Sequence, residues 1–230
     1  MEFVIDEGDN SCHDQTWRLY SSLHMHPVCL GCIIETLERS DLLPLQKQPA
    51  LSELLRLLCQ QYEDILKLFL QEERIVWHIL TIMLDSLMLG DDSYQATAID
   101  TVLKLVERVG CEDLVNSILD NITYKVKSCY SVDRTNLLPY YTLLGKMLHQ
   151  FPGLATTLLC NYEDLLNELS LELGAGGEGL QSAVAYMFIF VCGEERGLSP
   201  RIHQQLHTGI ITMLTSAQAL PVQINGLGNI

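Results

Sequence analysis

An acidic step that leads into an apolar segment occurs three times along this chain of 230 residues. The steps are the pairs Glu63-Asp64, Glu112-Asp113 and Glu163-Asp164, spaced by 49 and 51 residues. A near-fixed period of this length indicates repeating units that bury their apolar faces by stacking on one another. Adjacent carboxylates point in different directions from a helix, and the helix dipole favours negative charge in the first turn. We therefore interpret the pairs as helix starts that mark a repeat, not as catalytic acids.

The composition favours long helices over many short strands. Apolar residues make up 48% of the chain and charged residues 19%, which is far from the composition of a disordered segment. Leucine is common, and only 7 prolines and 15 glycines interrupt the sequence. Apolar segments also align at intervals of 43 and 42 residues, over 98–110, 141–153 and 183–195. We predict an all-α chain folded as an α-solenoid.

The spacing of these helices is similar to that of the armadillo and HEAT families, whose units have this length and few diagnostic positions. The resemblance covers about residues 50–220 and implies an array of helical repeats. The regions predicted are an acidic flexible tail at 1–15, a helical-repeat domain at 16–219 with a flexible break at 174–179, and the start of a further repeat helix at 220–230. We expect the array to be cut short at Ile230.

The first helices are expected from short patterns. Residues 16–23 are predicted to form a short helix and residues 27–39 a second one, with a proline in its first turn. Pro44 and Pro49 are predicted to bracket a loop at 45–48.

Side chains inside the apolar helices are interpreted as packing residues. Cys59, Cys160 and Cys192 each follow apolar neighbours, and a reduced cysteine behaves as a small apolar group. Trp77 and His78 lie within a very apolar segment. We expect all five side chains in the core.

The net charge of −15, from 29 acidic and 14 basic side chains, repels phosphate backbones. Direct nucleic-acid binding is therefore not expected. Basic residues cluster at two places in this acidic chain. One cluster is Lys125, Lys127 and Arg134, and the other is Lys104 and Arg108. We interpret them as charges that complement helix dipoles.

Location in the cell is expected from targeting signals and cysteine usage. Residues 1–7 carry no basic stretch followed by an apolar run, so a secretory signal is not predicted. The eight cysteines are irregularly spaced, which fits a reducing compartment. The most apolar run, 183–192, is shorter than the about 20 residues that a membrane helix needs. We expect an intracellular protein, nuclear or cytoplasmic, with no membrane partner.

A zinc site is the sharpest alternative chemistry. Zinc is bound by cysteine and histidine, and Cys-x-x-Cys is a common half-site. Against this, Cys29 and Cys32 lie with Ile33 at the spacing of an ordinary buried helix stripe. The candidate ligands are Cys12, His13, His24, His26, Cys29 and Cys32.

Other chemical motifs find little support. The Gly-x-Ser-x-Gly nucleophile motif is absent, and residues 174–179 lack the Lys-Ser/Thr of a phosphate-binding loop. His203 and His207 lie at i,i+4, but no glutamate follows the first histidine as in zinc proteases. We predict a solvated histidine pair, no catalytic residues, no resident metal or cofactor, and no small-molecule substrate.

The pattern as a whole is typical of a non-enzymatic protein-interaction scaffold. Its acidic surface favours basic or amphipathic helical segments of a protein partner. The alternative is a zinc-stabilised N-terminal module attached to a helical adaptor domain. The leucine-rich segments 57–66 and 222–228 resemble the armadillo-type arrays of the meiosis inhibitor protein 1 family. That resemblance implies a role in meiotic double-strand-break formation and chromosome synapsis.

Metal analysis separates these two interpretations. If Cys29 and Cys32 are packing residues, the zinc content of the purified protein should be close to zero, as measured by inductively coupled plasma mass spectrometry. About one zinc per chain, lost in a variant with both cysteines replaced by serine, would instead establish the zinc module.

Overall fold

The computed structural model describes residues 18–19, 28–59, 69, 71–129, 134–175, 177–193 and 197–216. Regular structure in these residues is helical except for one antiparallel pair of two-residue strands. The all-α prediction is confirmed at this level. The predicted tail at 1–15 and the segment 220–230 lie outside the described residues.

The chain divides into two compact units, residues 1–114 and 115–230. In the first unit α1 packs against α2 and α3, and α4 packs against α2 and α3. The elements of this unit are β1 Arg18–Leu19, β2 Val28–Cys29, α1 Leu30–Glu38, α2 Pro44–Cys59, α3 Glu73–Ser86 and α4 Asp92–Val109.

The second unit contains the remaining helices, and its boundary falls in the first turn of α5. Here α9 packs against α6, α7 and α8, while α10 packs against α8. The elements are α5 Glu112–Ser128, a 3-10 turn Arg134–Leu137, α6 Leu138–Gln150, α7 Gly153–Asn161, α8 Glu163–Ala175, α9 Glu178–Cys192 and α10 Pro200–Ser216.

Helix α4 shows why the sequence folds as it does. The Asp91 side chain accepts a hydrogen bond from the Tyr94 backbone N–H at 2.8 Å, which satisfies one of the first amides of the helix. Gly110 ends the helix with φ of +62°, a backbone conformation that glycine adopts without strain. Both end signals can be read in the sequence, and the buried stripe includes Ala98 and Val102.

The prediction for the first elements is wrong in two places. Arg18 and Leu19 pair as an antiparallel strand with Cys29 and Val28, so they are not helical as predicted. Backbone hydrogen bonds across the strand pair here replace those along a helix. The helix expected at 27–39 begins only at Leu30, because its preceding residues belong to the strand.

Helix α2 overturns the loop predicted between two prolines. Pro44 is the first residue of the helix and Pro49 lies inside it. A proline in a helix interior costs about 3 kcal/mol or more. Burial of a leucine side chain contributes about 1.5 to 3 kcal/mol, and four leucines of α2 are buried, so packing outweighs the missing hydrogen bond.

Three cysteines predicted in the core are exposed. Cys59 and Cys192 are the last residues of α2 and α9, and Cys160 is the last but one of α7. Positions at a helix end reach past the packed middle of the helix, so an apolar run before a residue does not guarantee its burial.

The close packing of α10 on α8 depends on one glycine. A Cβ atom added at Gly209 would lie 2.6 Å from the Cβ of Leu173, closer than such atoms approach. The missing side chain lets the two helices meet, and residues at both ends of the predicted break at 174–179 are helical. Gly174 and Ala175 belong to α8, and α9 begins at Glu178.

Long side chains cap the carboxyl ends of neighbouring helices. The last carbonyls of a helix have no partner within it, and a buried carbonyl without a hydrogen bond is costly. Donors from α2, α4 and α9 supply these bonds to helices packed against them. The bonds are Lys47 Nζ to Leu37 O, Arg108 Nε to Leu58 O, Arg108 Nη2 to Cys59 O, Gln95 Nε2 to Leu87 O and Leu89 O, and Gln181 Nε2 to Leu173 O.

Replacing Arg108 by Met tests the weight of this capping. The substitution removes donors at 2.8 and 3.2 Å from the last carbonyls of α2, and hydrogen bonds to charged groups contribute about 1.5 to 3 kcal/mol. We expect the free energy of unfolding to fall by roughly that amount in urea titrations. The matched control is Lys104→Met, which removes only a half-exposed pair with Glu107 and should change stability by less than about 1 kcal/mol. Equal losses in both variants would contradict the capping role.

Candidate functional site

Negative charge is concentrated in the first unit. Residues 1–114 hold 20 of the 29 acidic and 8 of the 14 basic side chains, a net charge of −12, while residues 115–230 carry −3. Charge of one sign over a surface attracts partners of the other sign and raises their association rate. The first unit is therefore the more electrostatically selective of the two.

Most of the described basic side chains are used inside the protein. Lys47 and Arg108 donate to backbone carbonyls of neighbouring helices. Five other cations contact an acidic neighbour: Arg39 with Asp41, Arg56 with Glu53, Lys104 with Glu107, Lys127 with Asp164, and Arg134 with Glu172. Exposed carboxylates such as Glu35 and Asp92 remain on the outside. The surface offered to a partner is thus acidic.

An ion pair in the second unit involves a buried carboxylate. The side chain of Glu172 is 1% exposed and contacts the guanidinium of Arg134. Its second oxygen, Oε2, has no hydrogen-bond partner among the described residues. Burial raises the pKa of the Glu172 carboxyl above its ordinary value, while Arg134 acts in the opposite direction. Ionisation of this group therefore works against the fold.

Tyr141 belongs to the same buried cluster. The residue is fully buried, and its hydroxyl also has no hydrogen-bond partner within the described part of the chain. Burial raises the pKa of the Tyr141 phenol, and the neighbouring Glu172 charge adds to the effect. The phenol stays neutral at physiological pH. The Glu172–Arg134 pair is therefore the charged part of this cluster, and Tyr141 does not take part in acid–base chemistry there.

The burial of Glu172 was not predicted from the sequence. Its position could have been found, because the helical period places 172 on the same face as Leu165 and Leu169. Both leucines are buried. A charged residue on an apolar stripe was the signal, and Arg134 on the 3-10 turn supplies its partner.

An apolar cleft of about 410 Å³ lies along α10 in the second unit. Leu206, Ile210 and Ile211 contribute apolar surface, and His203 and His207 line the cleft one turn apart. Both histidines are exposed, which confirms the prediction of a solvated pair. The sequence analysis did not find the cleft, since two separate chain segments form it.

The zinc prediction is tested only in part. Cys29 and Cys32 are half-buried, and Ile33 beside them is buried. Within the described ranges no three histidine, cysteine or acidic side chains are placed to hold a metal ion. The other four candidate ligands, Cys12, His13, His24 and His26, lie outside the described residues.

The structure also tests the predictions for the acidic pairs and for Trp77 and His78. The pairs Glu112-Asp113 and Glu163-Asp164 occupy the first turns of α5 and α8, as predicted, and the pair at 63–64 lies outside the described residues. His78 is wrong as a core residue, because its exposed Nε2 lies 2.9 Å from Glu38 Oε1. Trp77 is half-buried and donates to Glu73 at 3.2 Å.

The described helices were also compared with the requirements of a membrane span. None of them, in the part of the chain that the structure describes, is both long and apolar enough to cross a bilayer.

Comparison with known proteins identifies similar sequences. A family model described as the Meiosis inhibitor protein 1 N-terminal domain matches residues 28–230. Meiosis inhibitor protein 1 of Mus musculus is 24% identical over 229 residues, covering 98% of this chain and 18% of the mouse protein. The Homo sapiens protein is 24% identical over 220 residues, covering 94% of this chain and 17% of its own length. The chain thus spans less than a fifth of these relatives.

One solved structure shares the fold. It is an engineered protein from the Northeast Structural Genomics Consortium, with a TM-score of 0.52 and 12% sequence identity. The superposition covers 87% of this chain and 77% of the engineered protein. At this identity the likeness concerns the fold alone.

The buried cluster predicts an unusual pH dependence. Because the folded protein holds the Glu172 proton more tightly than the unfolded chain, its stabilisation is complete at acid pH and is lost as pH rises through the raised pKa. We expect Glu172→Gln to increase the free energy of unfolding relative to the wild type at pH 8, with a smaller difference at pH 5. Urea titrations at both pH values measure this.

Two further variants control the experiment. Arg134→Met leaves the Glu172 carboxylate buried without its cation and should cost about 3 kcal/mol at pH 8, less at pH 5. Glu163→Gln changes an exposed carboxylate in the first turn of the same helix and should show no such pH trend. Parallel stability curves for the wild type and Glu172→Gln would refute the assignment.

Proposed function

We propose that this chain, which belongs to the meiosis inhibitor protein 1 N-terminal domain family, is a non-enzymatic protein-interaction scaffold that works in meiosis. The names of the mouse and human relatives support the meiotic setting. Within it we place the chain in double-strand-break formation and chromosome synapsis, as the sequence resemblance implies. Nuclear or cytoplasmic location follows from that role.

An α-solenoid is the architecture that we propose for the scaffold. In such arrays each unit contacts the next, so residues one repeat apart lie close together. Hydrogen bonds of this kind occur in both units. Arg108 bonds to a carbonyl 50 positions earlier, Gln48 Nε2 to Thr97 Oγ1 49 positions later, and Tyr162 Oη to Asp120 Oδ1 42 positions earlier. These separations match the period of 42 to 51 residues in the sequence.

The acidic surface is the observation that carries the proposed binding. The protein places its cations against its own carbonyls and carboxylates, so a partner meets mainly carboxylates. Complementary charge speeds encounter and disfavours acidic competitors, while apolar contacts hold the complex. The partner is a protein with basic or amphipathic helical segments. Direct contact with nucleic acid is disfavoured by the same charge.

A pair of synthetic peptides tests this selectivity. Both peptides form amphipathic helices with one leucine face, and their polar faces carry only lysine or only glutamate. We expect the lysine peptide alone to bind the full chain in fluorescence anisotropy, with a dissociation constant that rises at least about tenfold between 50 and 500 mM salt.

Two results would refute the proposed function. One is equal binding of the lysine and glutamate peptides, which would show that charge does not select the partner. The other is saturable binding of a labelled DNA duplex that exceeds binding of the lysine peptide at the same salt concentration.

A further inference from the structure

Two exposed leucines stand out in the turn between α1 and α2. Leu43 is 68% exposed and Leu45 is 77% exposed, although most leucines in the described residues of this unit are buried. They lie at the start of α2 within residues 39–46, which we name the leucine turn. Large apolar side chains held in water on a defined segment are typical of an interaction site.

Local hydrogen bonds connect the two ends of the leucine turn to their neighbours in the chain. At one end Arg39 donates to both carboxylate oxygens of Asp41, at 3.1 and 2.6 Å. At the other end Gln46 Oε1 accepts from the Leu43 backbone N–H at 2.8 Å, and Gln46 N–H donates back to Leu43 O at 2.9 Å. Pro44 fixes the backbone between the two leucines. A partner therefore loses little energy in ordering this segment.

Buried anchors hold the leucine turn to the rest of the first unit. Lys47, one position past the turn, is 7% exposed and donates to Leu37 O of α1 at 2.8 Å. Gln48 Nε2 lies 2.9 Å from Thr97 Oγ1 of α4. The leucines are displayed by a packed scaffold, not by a loose loop.

The charge around the leucine turn indicates what covers it. Residues 35–47 contain three carboxylates, Glu35, Glu38 and Asp41, and two cations, Arg39 and Lys47. Asp41 is paired with Arg39 and Lys47 is buried, so the negative charge that remains exposed is that of Glu35 and Glu38. All three acidic residues are exposed. An apolar pair flanked by negative charge fits a partner that places lysine or arginine beside its own apolar side chains.

We propose that the leucine turn is the docking site for a basic amphipathic helix of a partner protein. Leu43 and Leu45 insert into the apolar face of that helix, and its cations meet Glu35 and Glu38. This inference rests on the proposed scaffold function and assigns the surface that performs it.

Charge also argues against two other occupants. A second copy of the chain packed symmetrically on this turn would bring like carboxylates together. The segment 1–15 of the chain holds five acidic and no basic side chains, so the same repulsion acts on it. A basic partner is the occupant that the surface favours.

Serine substitutions test the docking site with the lysine peptide as probe. Leu43→Ser combined with Leu45→Ser removes the apolar contact and should weaken anisotropy-measured binding roughly tenfold or more. The matched control is Leu171→Ser, which changes a 44% exposed leucine in the second unit and should leave affinity unchanged. Glu35→Gln with Glu38→Gln should weaken binding about threefold at low salt and reduce its salt dependence.

Methyl NMR of leucine-labelled full-length protein locates the contact. The Leu43 and Leu45 methyl signals should shift on addition of the lysine peptide, whereas the Leu171 signal should not. Circular dichroism melting of each variant verifies that the fold is kept, since the substituted leucines are exposed.

Each remaining outcome has a defined meaning. If the lysine peptide binds the double serine variant as well as the wild type, the docking site is elsewhere and the inference is overturned, while the scaffold function stands. If no peptide binds the wild type, the charge-based function itself is refuted. If sedimentation shows a dimer that the double serine variant abolishes, a second copy occupies the turn and the inference is likewise overturned.

Discussion

The structure depends on how the carboxyl ends of its helices are satisfied. Four long side chains, Lys47, Gln95, Arg108 and Gln181, reach from one helix to carbonyls at or just past the carboxyl end of another. Each bond joins helices that also share an apolar interface, so hydrogen bonding and burial reinforce the same pairing. Apolar contact alone tolerates sliding between helices, whereas a hydrogen bond to a given carbonyl fixes the register. The relative positions of the packed helices follow from both.

This use of long polar side chains also shapes the surface. A cation that donates to a carbonyl keeps its positive charge, but the hydrogen bond fixes that charge at the end of a neighbouring helix. Lys47 and Arg108 both belong to the first unit, where the net charge is −12. The positions of two positive charges in this unit are thus set by how its helices are held together. Binding selectivity and fold stability draw on the same few basic residues.

Sequence patterns predicted the helical class and the helix starts marked by acidic pairs, and the reasons are local. The Asp91 cap, Gly110 and the acidic first turns of α5 and α8 act within one or two turns of the chain. The predictions of a loop at 45–48 and a helix at 16–23 were wrong because of tertiary contacts. Packing of four leucines keeps Pro49 in a helix, and Leu19 pairs with Val28 in an antiparallel strand pair.

The candidate sites were less predictable than the fold, because each depends on residues far apart in the chain. Glu172 was recognisable as a charge on an apolar stripe, but its pairing with Arg134 across 38 positions was not. The α10 cleft needs two separate segments. The leucine turn was hidden for another reason. Its residues were predicted as part of a loop between two prolines, and only the structure shows that Leu43 and Leu45 are exposed where a helix begins.

The bond from Arg108 to Leu58 has a consequence for the order of events during synthesis. The two residues are 50 positions apart, so the ribosome makes the acceptor well before the donor. At about 5 to 20 residues per second, the end of α2 waits roughly 3 to 10 seconds for its cap. During that interval the nascent helix exposes an apolar stripe and unpaired carbonyls. The first unit therefore reaches its final form only when α4 is complete. Until then its exposed apolar surface is the kind of surface that chaperones bind.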